Sequence, residues 1–190
     1  MKPHFAPIDT LMYYDYLNKS KSYFEFGSGG STYQSLMRNN IRCVYSVESD
    51  IEWYKKVNAN IKSNKLNYIL VDLKCKPNDW GNPGITSKPS DWIKYSDSLC
   101  TLNNNERSVI DLILIDGRFR VACCLKCFDV INNNCLIMFD DFLNRPQYHI
   151  VLNYFDIVNR TKDKRMVILK KKQVNSPTIE LIQKYEMIST

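Results

Sequence analysis

Six acidic residues end or interrupt short apolar runs, at positions typical of strand ends. These residues are Glu25, Glu48, Asp72, Asp116, Asp140 and Asp141. Ligands of open parallel sheets bind at the carboxyl ends of the strands, so these carboxylates would share one edge of such a sheet. There they could accept hydrogen bonds from hydroxyl groups, coordinate a divalent cation or take a proton from a substrate.

A glycine-rich turn follows the first of these acids. Gly27-Ser28-Gly29-Gly30-Ser31 comes directly after the apolar run at residues 23–26. Such a turn lets the backbone approach a nucleotide at the start of a helix. The alternative is a tight structural turn, because glycine tolerates positive φ angles. Glu48 lies about twenty residues later, where a strand-end carboxylate can bind the hydroxyls of a ribose. The alternative for Glu48 is a favourable charge at a helix N-terminus.

The chain around these residues alternates apolar runs with segments of helical spacing. We expect strands at about 22–26, 42–47, 67–71, 109–115 and 135–139, and helices at about 31–38, 51–61, 90–99, 121–131 and 146–153. This alternation predicts an α/β fold of Rossmann-like type with a doubly wound, mostly parallel sheet. Runs at 154–158 and 165–169 predict an antiparallel terminal hairpin, which brings the sheet to seven strands.

The length of 190 residues suits one main domain. We expect an N-terminal helix or lid in residues 1–21, the main domain in 22–174, and a C-terminal tail or short helix in 175–190. Seven cysteines are scattered through the chain, and no second Cys or His pair has the spacing of a zinc site. We therefore interpret the cysteines as apolar fillers.

The composition, with 44% apolar and 24% charged residues, is that of an ordinary globular protein. No apolar run approaches the ~20 residues of a membrane-spanning helix. The first residues lack the hydrophobic region of a signal peptide, so we expect a cytoplasmic protein. The net charge of +6 is concentrated near the C-terminus without a known nucleic-acid motif, so nucleic acid is not an expected partner.

The charge beside the glycine turn narrows the choice of nucleotide. Glu25 would repel a pyrophosphate but suits a cationic amino-acid group, which favours S-adenosylmethionine over a nicotinamide dinucleotide. The motifs, in their order, resemble those of the class I S-adenosylmethionine-dependent methyltransferases, over about residues 22–170. Phe24-Glu25-Phe26-Gly27-Ser28-Gly29-Gly30-Ser31 is similar to their first motif and Ser46-Val47-Glu48-Ser49-Asp50 to their second. Residues 111–117 and 136–141 are similar to the motifs of the fourth and fifth strands.

The resemblance implies a role for each matching residue. The glycine turn would hold the methionine part of the cofactor and Glu25 would lie near its ammonium group. Glu48 would bind the ribose, and Asp72 with Leu73 would lie near the adenine. The residues that the resemblance places at the cofactor are Glu25, Gly27, Ser28, Gly29, Ser31, Glu48, Ser49, Asp72, Leu73 and Asp116.

The acceptor end of the site resembles that of small O-methyltransferases, including the macrolide-sugar enzymes related to macrocin O-methyltransferase. Asp116-Gly117-Arg118 stands where nitrogen-methylating relatives often carry an Asn/Asp-Pro-Pro-Tyr motif. Asp116, Asp140 and Asp141 would suit Mg²⁺, which lowers the pKa of a bound hydroxyl. The alternative is that these acids contact substrate hydroxyls directly.

The residues expected at the acceptor follow from this resemblance and from residue chemistry. The base is either Asp116 or His149, although an ordinary helix residue is the favoured interpretation of His149. Arg118, Arg120 and Trp80 would bind the acceptor, although the tryptophan could instead belong to the core. The expected reaction is methyl transfer to a hydroxyl of a sugar or glycan. Another small-molecule acceptor, or a non-catalytic cofactor-binding module, remains an alternative, and the oligomeric state stays open.

Overall fold

The computed structural model of the protein describes residues 1–162 and 165–190, and within them seven strands form one sheet. The strand order is β3-β2-β1-β4-β5-β7-β6. The first five strands are parallel, while β7 runs antiparallel to both β5 and β6. The predicted Rossmann-like sheet with its terminal hairpin is confirmed, although residues 163–164 of the predicted turn lie outside the described part. The strands are β1 Ser22–Phe26, β2 Cys43–Glu48, β3 Leu66–Leu70, β4 Leu112–Ile115, β5 Leu136–Phe139, β6 Phe155–Arg160 and β7 Val167–Lys171.

Helices lie between and around the strands. They are α1 Pro7–Lys19, α2 Gly30–Leu36, α3 Ile51–Asn60, α4 Pro89–Ser96, α5 Asn104–Val109, α6 Arg120–Val130, a 3₁₀ helix Pro146–Asn153 and α7 Ile179–Glu186. None of the helices within the described residues is long and apolar enough to cross a membrane.

Helix α5 is the main departure from the predicted elements. No element was expected at residues 103–108, and a strand was expected to begin at residue 109. Asn103 caps the helix by accepting a hydrogen bond from the Glu106 backbone N–H at 3.0 Å, and the Glu106 carboxylate accepts one from the Asn103 N–H at 2.9 Å. This capping box satisfies two backbone donors that a loop would leave to water. Strand β4 consequently begins at Leu112 rather than at residue 109.

The central strands are buried on both faces, as expected of a parallel sheet covered by helices. Tyr23, Phe24 and Phe26 of β1 are fully buried. Helix α7 packs against this core, and its Glu186 forms an ion pair with Lys126 of α6, which is also paired with Asp97 at 2.6 Å. The candidate site lies at the ends of β1, β2 and β4, three neighbouring strands of this buried central part of the sheet.

Candidate cofactor and acceptor site

A cavity of about 710 Å³ opens at the carboxyl ends of β1, β2 and β4. Its size is within the range usual for small-molecule sites. The structure brings seven of the predicted cofactor residues to its wall. These are Gly27, Ser28, Gly29, Ser31, Glu48, Ser49 and Asp116.

The carboxylate of Glu48 is held by an array of donors at the end of β2. Its Oε1 accepts hydrogen bonds from the backbone N–H groups of Ser49 at 2.7 Å and Asp50 at 2.9 Å. Its Oε2 accepts from the hydroxyl of Ser28 at 2.5 Å and from the Ser28 N–H at 3.2 Å. Burial raises the pKa of Glu48, while these hydrogen bonds act to lower it. The array fixes the carboxylate against the glycine turn.

Two aromatic residues that were not among the predicted site residues hold this turn in place. The indole N–H of Trp53 donates to the Ser28 carbonyl at 2.9 Å. The Tyr68 hydroxyl lies 2.6 Å from the Ser28 hydroxyl, and the Tyr68 ring stacks on Tyr54 at 4.2 Å. Trp53 also lines the cavity. In the sequence Trp53 is one residue of the helix expected at 51–61, and no signal there distinguished it.

Glu25 does not line the cavity, although it was expected near the ammonium group of the cofactor. Its side chain is fully buried beneath the turn. It accepts hydrogen bonds from the hydroxyls of Thr32, of Ser46 at 2.7 Å and of Tyr23 at 2.9 Å. Burial raises the pKa of Glu25 to about 7, against the lowering effect of these hydroxyls. Glu25 thus joins β1, β2 and α2 from within.

Asp72 and Leu73, which were expected near the adenine, also lie outside the cavity wall. Leu73 is fully buried in the core. The Asp72 carboxylate pairs with the ammonium group of Lys74 at 2.6 Å and accepts from the Lys74 N–H at 2.8 Å. Lys74 has a φ of 55°, which turns the chain back so that its side chain reaches Asp72. Asp72 therefore stabilises the loop after β3, and Leu73 belongs to the core.

Asp116 is a predicted acceptor residue that the structure does bring to the cavity. It follows β4, and its side chain is 29% exposed. Asp116 is held close to the glycine turn because the next residue, Gly117, packs directly against Gly27. A Cβ added to Gly27 would lie 3.0 Å from the Gly117 Cα. Gly27 has a φ of 93°, a conformation that favours glycine. Burial raises the pKa of Asp116, and nearby Arg120 opposes that shift.

The three acids predicted to hold Mg²⁺ do not form a metal site. Arg120 is 3% exposed, and its guanidinium lies 3.1 Å from Asp116 Oδ1 and 3.5 Å from Asp141 Oδ2. Asp141 is also paired with Arg145 at 2.8 Å. Burial, with the nearby carboxylates, raises the pKa of Asp140 to about 8. Mg²⁺ binds through carboxylate oxygens that are free to face it, and here Asp116 and Asp141 already face guanidinium groups, so these residues do not fit it.

The cysteines do not provide a metal site either. In residues 1–162 and 165–190, no group of three or more His, Cys, Asp or Glu side chains is arranged to hold a metal ion. The seven cysteines are unpaired thiols, and Cys123, Cys124 and Cys127 are buried in α6. Burial raises the pKa of each of these three thiols, as expected for apolar fillers.

The other predicted acceptor residues lie in different places. Trp80 lines the cavity with 74% of its surface exposed, so it is not a core residue. Arg118 and Arg120 are not on the cavity wall, and Arg118 donates to the Asn82 side chain at 2.8 Å. His149 is also outside the wall, with Nε2 3.1 Å from the Phe142 carbonyl oxygen. His149, one of the two predicted bases, is therefore not on the wall that Asp116 lines.

The N-terminal segment, Met1 to Phe5, forms a part of the cavity wall and lies within residues 1–21, where a helix or lid was expected. It passes over the start of α2, so closely that a Cβ on Gly30 would overlap the Lys2 carbonyl group. The Gln34 side chain donates to the Met1 carbonyl at 2.8 Å. The His4 ring lies 5.4 Å from the Trp80 ring, so the segment meets the loop after β3 at the cavity.

No protein-family model and no curated protein matches the chain, but solved structures do. A methyltransferase-like protein from Silicibacter pomeroyi has a TM-score of 0.80 at 24% identity, covering 100% of this chain and 98% of that one. The chain has the fold of class I S-adenosylmethionine-dependent methyltransferases. A Staphylococcus aureus protein assigned as a caffeoyl-CoA O-methyltransferase has a TM-score of 0.53 at 16% identity, covering 87% of this chain and 82% of that one.

A third similar structure is that of an enzyme named for a different class of acceptor. The tRNA (m1A58) methyltransferase from Aquifex aeolicus has a TM-score of 0.54 at 16% identity, covering 92% of this chain and 73% of that one. Proteins of this fold therefore include enzymes named for tRNA, and the prediction that nucleic acid is an unlikely partner is not supported. At these identities the likeness shows the fold, not the acceptor.

Proposed function

We propose that the protein is an S-adenosylmethionine-dependent methyltransferase that binds its methyl donor in the cavity at the ends of β1, β2 and β4. The observation that carries this proposal is the position of Glu48. Its carboxylate lies on the cavity wall, fixed by the glycine turn on one side and by backbone N–H groups on the other. A carboxylate fixed in this way is suited to the hydroxyls of a ribose.

The residues on the wall divide into a donor end and an acceptor end. The glycine turn would hold the methionine part, Glu48 the ribose, and Trp53, which also lines the cavity, would lie near the adenine. When bound, S-adenosylmethionine supplies an electrophilic methyl group. Asp116, which lies on the same wall at the end of β4, would orient the acceptor and receive its proton.

We further propose that the acceptor is a hydroxyl of a sugar or glycan. Two features support this choice. Asp116 is a carboxylate at the acceptor end, which suits a hydroxyl because such a nucleophile must lose a proton during the transfer. Trp80 presents an exposed ring on the cavity wall, which could pack against the apolar face of a pyranose. Mg²⁺ has no part in this proposal, since the acids do not fit it.

The first experiment separates donor binding from acceptor choice. Calorimetry with S-adenosylmethionine should show one binding site, and this signal should be lost in Glu48→Ala. An absence of donor binding to the unmodified protein would overturn the methyltransferase proposal.

The second experiment uses the labelled methyl donor with nucleotide sugars, oligosaccharides, catechols, tRNA and protein. We expect transfer to a sugar hydroxyl that survives base hydrolysis as a methyl ether. Transfer only to tRNA or to protein nitrogen would retain the methyltransferase but overturn the sugar acceptor. Donor binding without transfer to any acceptor in the panel would favour a non-catalytic binding module.

A further inference from the structure

We infer that the guanidinium of Arg120 takes the place that a divalent cation would occupy between the acids at the ends of β4 and β5, so that methyl transfer requires no such ion. This inference rests on the proposed function. It assigns to Arg120 the role of a positioning residue, which acts on the acceptor through Asp116.

The contacts of Arg120 show how completely its side chain is fixed. Its Nε donates to the Gly117 carbonyl at 3.0 Å, and its Nη1 donates to the Asp140 carbonyl at 2.8 Å. Its Nη2 lies 3.3 Å from the Asp116 carbonyl and 3.1 Å from Asp116 Oδ1. One planar group thus joins the backbone ends of two neighbouring strands to the carboxylate on the cavity wall. A fork of donors of this kind is specific to arginine.

The local charges leave little electrostatic attraction for a cation. Arg120 is 3% exposed, so its charge is poorly screened by water. Asp141 meets three guanidinium groups, because Oδ1 lies 2.9 Å from Arg165 and Oδ2 lies near both Arg145 and Arg120. A Mg²⁺ ion here would have to displace these groups and lie beside a buried positive charge, and the repulsion between such charges is strong at low effective dielectric.

The same geometry indicates how Arg120 contributes to methyl transfer. The ion pair holds the carboxylate of Asp116 through Oδ1 while the residue remains on the cavity wall, where it would meet an acceptor hydroxyl. The acceptor oxygen forms the new bond to the methyl carbon, the bond from that carbon to sulfur breaks with both electrons remaining on sulfur, and the hydroxyl proton passes to Asp116. Arginine remains charged throughout, so it orients the carboxylate and does not itself exchange the proton.

The first test needs no acceptor, because it measures metal binding to the unmodified protein. Mn²⁺ is the probe, titrated in the presence of S-adenosylhomocysteine and followed by electron paramagnetic resonance. We expect the signal of free Mn²⁺ to persist at ion concentrations up to about 1 mM, well above those that fill a dedicated carboxylate site. A stoichiometric Mn²⁺ site that is lost in Asp141→Asn would overturn the inference.

The second test uses transfer to the acceptor identified by the panel. Dialysis against a chelator should leave the rate unchanged, whereas a loss of rate restored by Mg²⁺ would overturn the inference but not the methyltransferase proposal. Arg120→Met should lower kcat by about 100-fold with donor affinity unchanged, since positioning acts on the transition state. Arg120→Lys should recover part of kcat, because it keeps the charge but not the fork.

Arg42→Met is the matched control, since Arg42 is exposed before β2, at the opposite edge of the sheet. It should retain full kcat. Full kcat in a folded Arg120→Met would overturn the positioning role. If the buried substitution prevents folding, which thermal unfolding would reveal, the Mn²⁺ and chelator experiments on the unmodified protein still decide whether an ion is used.

Discussion

The hydroxyl of Ser28 lies 2.5 Å from Oε2 of Glu48 and 2.6 Å from the hydroxyl of Tyr68. One small side chain therefore joins the glycine turn after β1 to the carboxylate at the end of β2 and to an aromatic residue of β3. The turn and the proposed ribose site form a single hydrogen-bonded unit. A substitution at any of the three residues should therefore alter the geometry of the donor end of the cavity.

Glu48→Gln should weaken binding of S-adenosylmethionine. The amide offers one acceptor oxygen in place of two, so its NH₂ must face the backbone donors either of Ser49 and Asp50 or of Ser28. We expect a loss of about 1.5–3 kcal/mol, which corresponds to roughly 10- to 100-fold in Kd by calorimetry. Glu180→Gln, at an exposed position of α7, is the control and should bind normally. Unchanged affinity in Glu48→Gln would place the ribose elsewhere.

Asp116→Asn should separate binding from catalysis. The amide keeps the size of the side chain but cannot receive a proton as the carboxylate does. We expect kcat to fall by about 100- to 10,000-fold, with the Kd of the methyl donor changed by less than about threefold. Asp15→Asn, an exposed residue of α1, is the matched control. A normal kcat in Asp116→Asn, measured with the labelled donor, would remove Asp116 from the proposed mechanism.

Glu25→Gln should change how stability depends on pH. The folded protein raises the pKa of Glu25 from 4.5 to about 7, so the folded state holds this proton more tightly than the unfolded chain does. Stability from this group is present below pH 4.5 and is lost as the pH rises through 7, by about 3 kcal/mol in all. Gln cannot ionise, so urea unfolding of the variant should show a weaker decline between these values. An identical decline in both proteins would contradict the assignment.

Gly117→Ala should destabilise the protein through a defined clash. A Cβ at this position would overlap the Tyr95 hydroxyl and would lie 3.0 Å from the backbone of Phe26. Overpacking of this kind costs about 1–3 kcal/mol in free energy of unfolding. Adding Tyr95→Phe removes the nearest atom, so the double variant should recover part of that loss. Additive effects in the double-mutant cycle would show that the added methyl group does not meet the Tyr95 hydroxyl.

Prediction from the sequence succeeded best where a residue acts through its position along the chain. Strand-end acids and the glycine turn follow from topology, and Glu48 and Asp116 do line one cavity. It failed where the environment decides the role. Glu25 has the spacing of a ligand residue, yet hydroxyls from β1, β2 and α2 hold it inside the protein. Only the folded structure brings those groups together.

Arg120 shows a second limit of prediction from sequence. In the sequence it is one of two arginines that follow the strand-end acid, and its charge suggested contact with substrate. Phe119 caps α6 with a left-handed φ of 52°, and Arg120 is then the first residue of the helix and is buried against β4 and β5. Because of the backbone conformation at Phe119, the side chain of Arg120 makes contacts inside the protein instead of the predicted contact with substrate.

The cavity wall has an optical consequence. The chain has three tryptophans, and two of them, Trp53 and Trp80, line the cavity, while Trp92 packs against the buried ring of Phe119. A ligand that fills the cavity would change the polarity around two indoles at once. The protein therefore carries its own fluorescent reporter, and ligand titrations can be followed by tryptophan emission without a dye or a label.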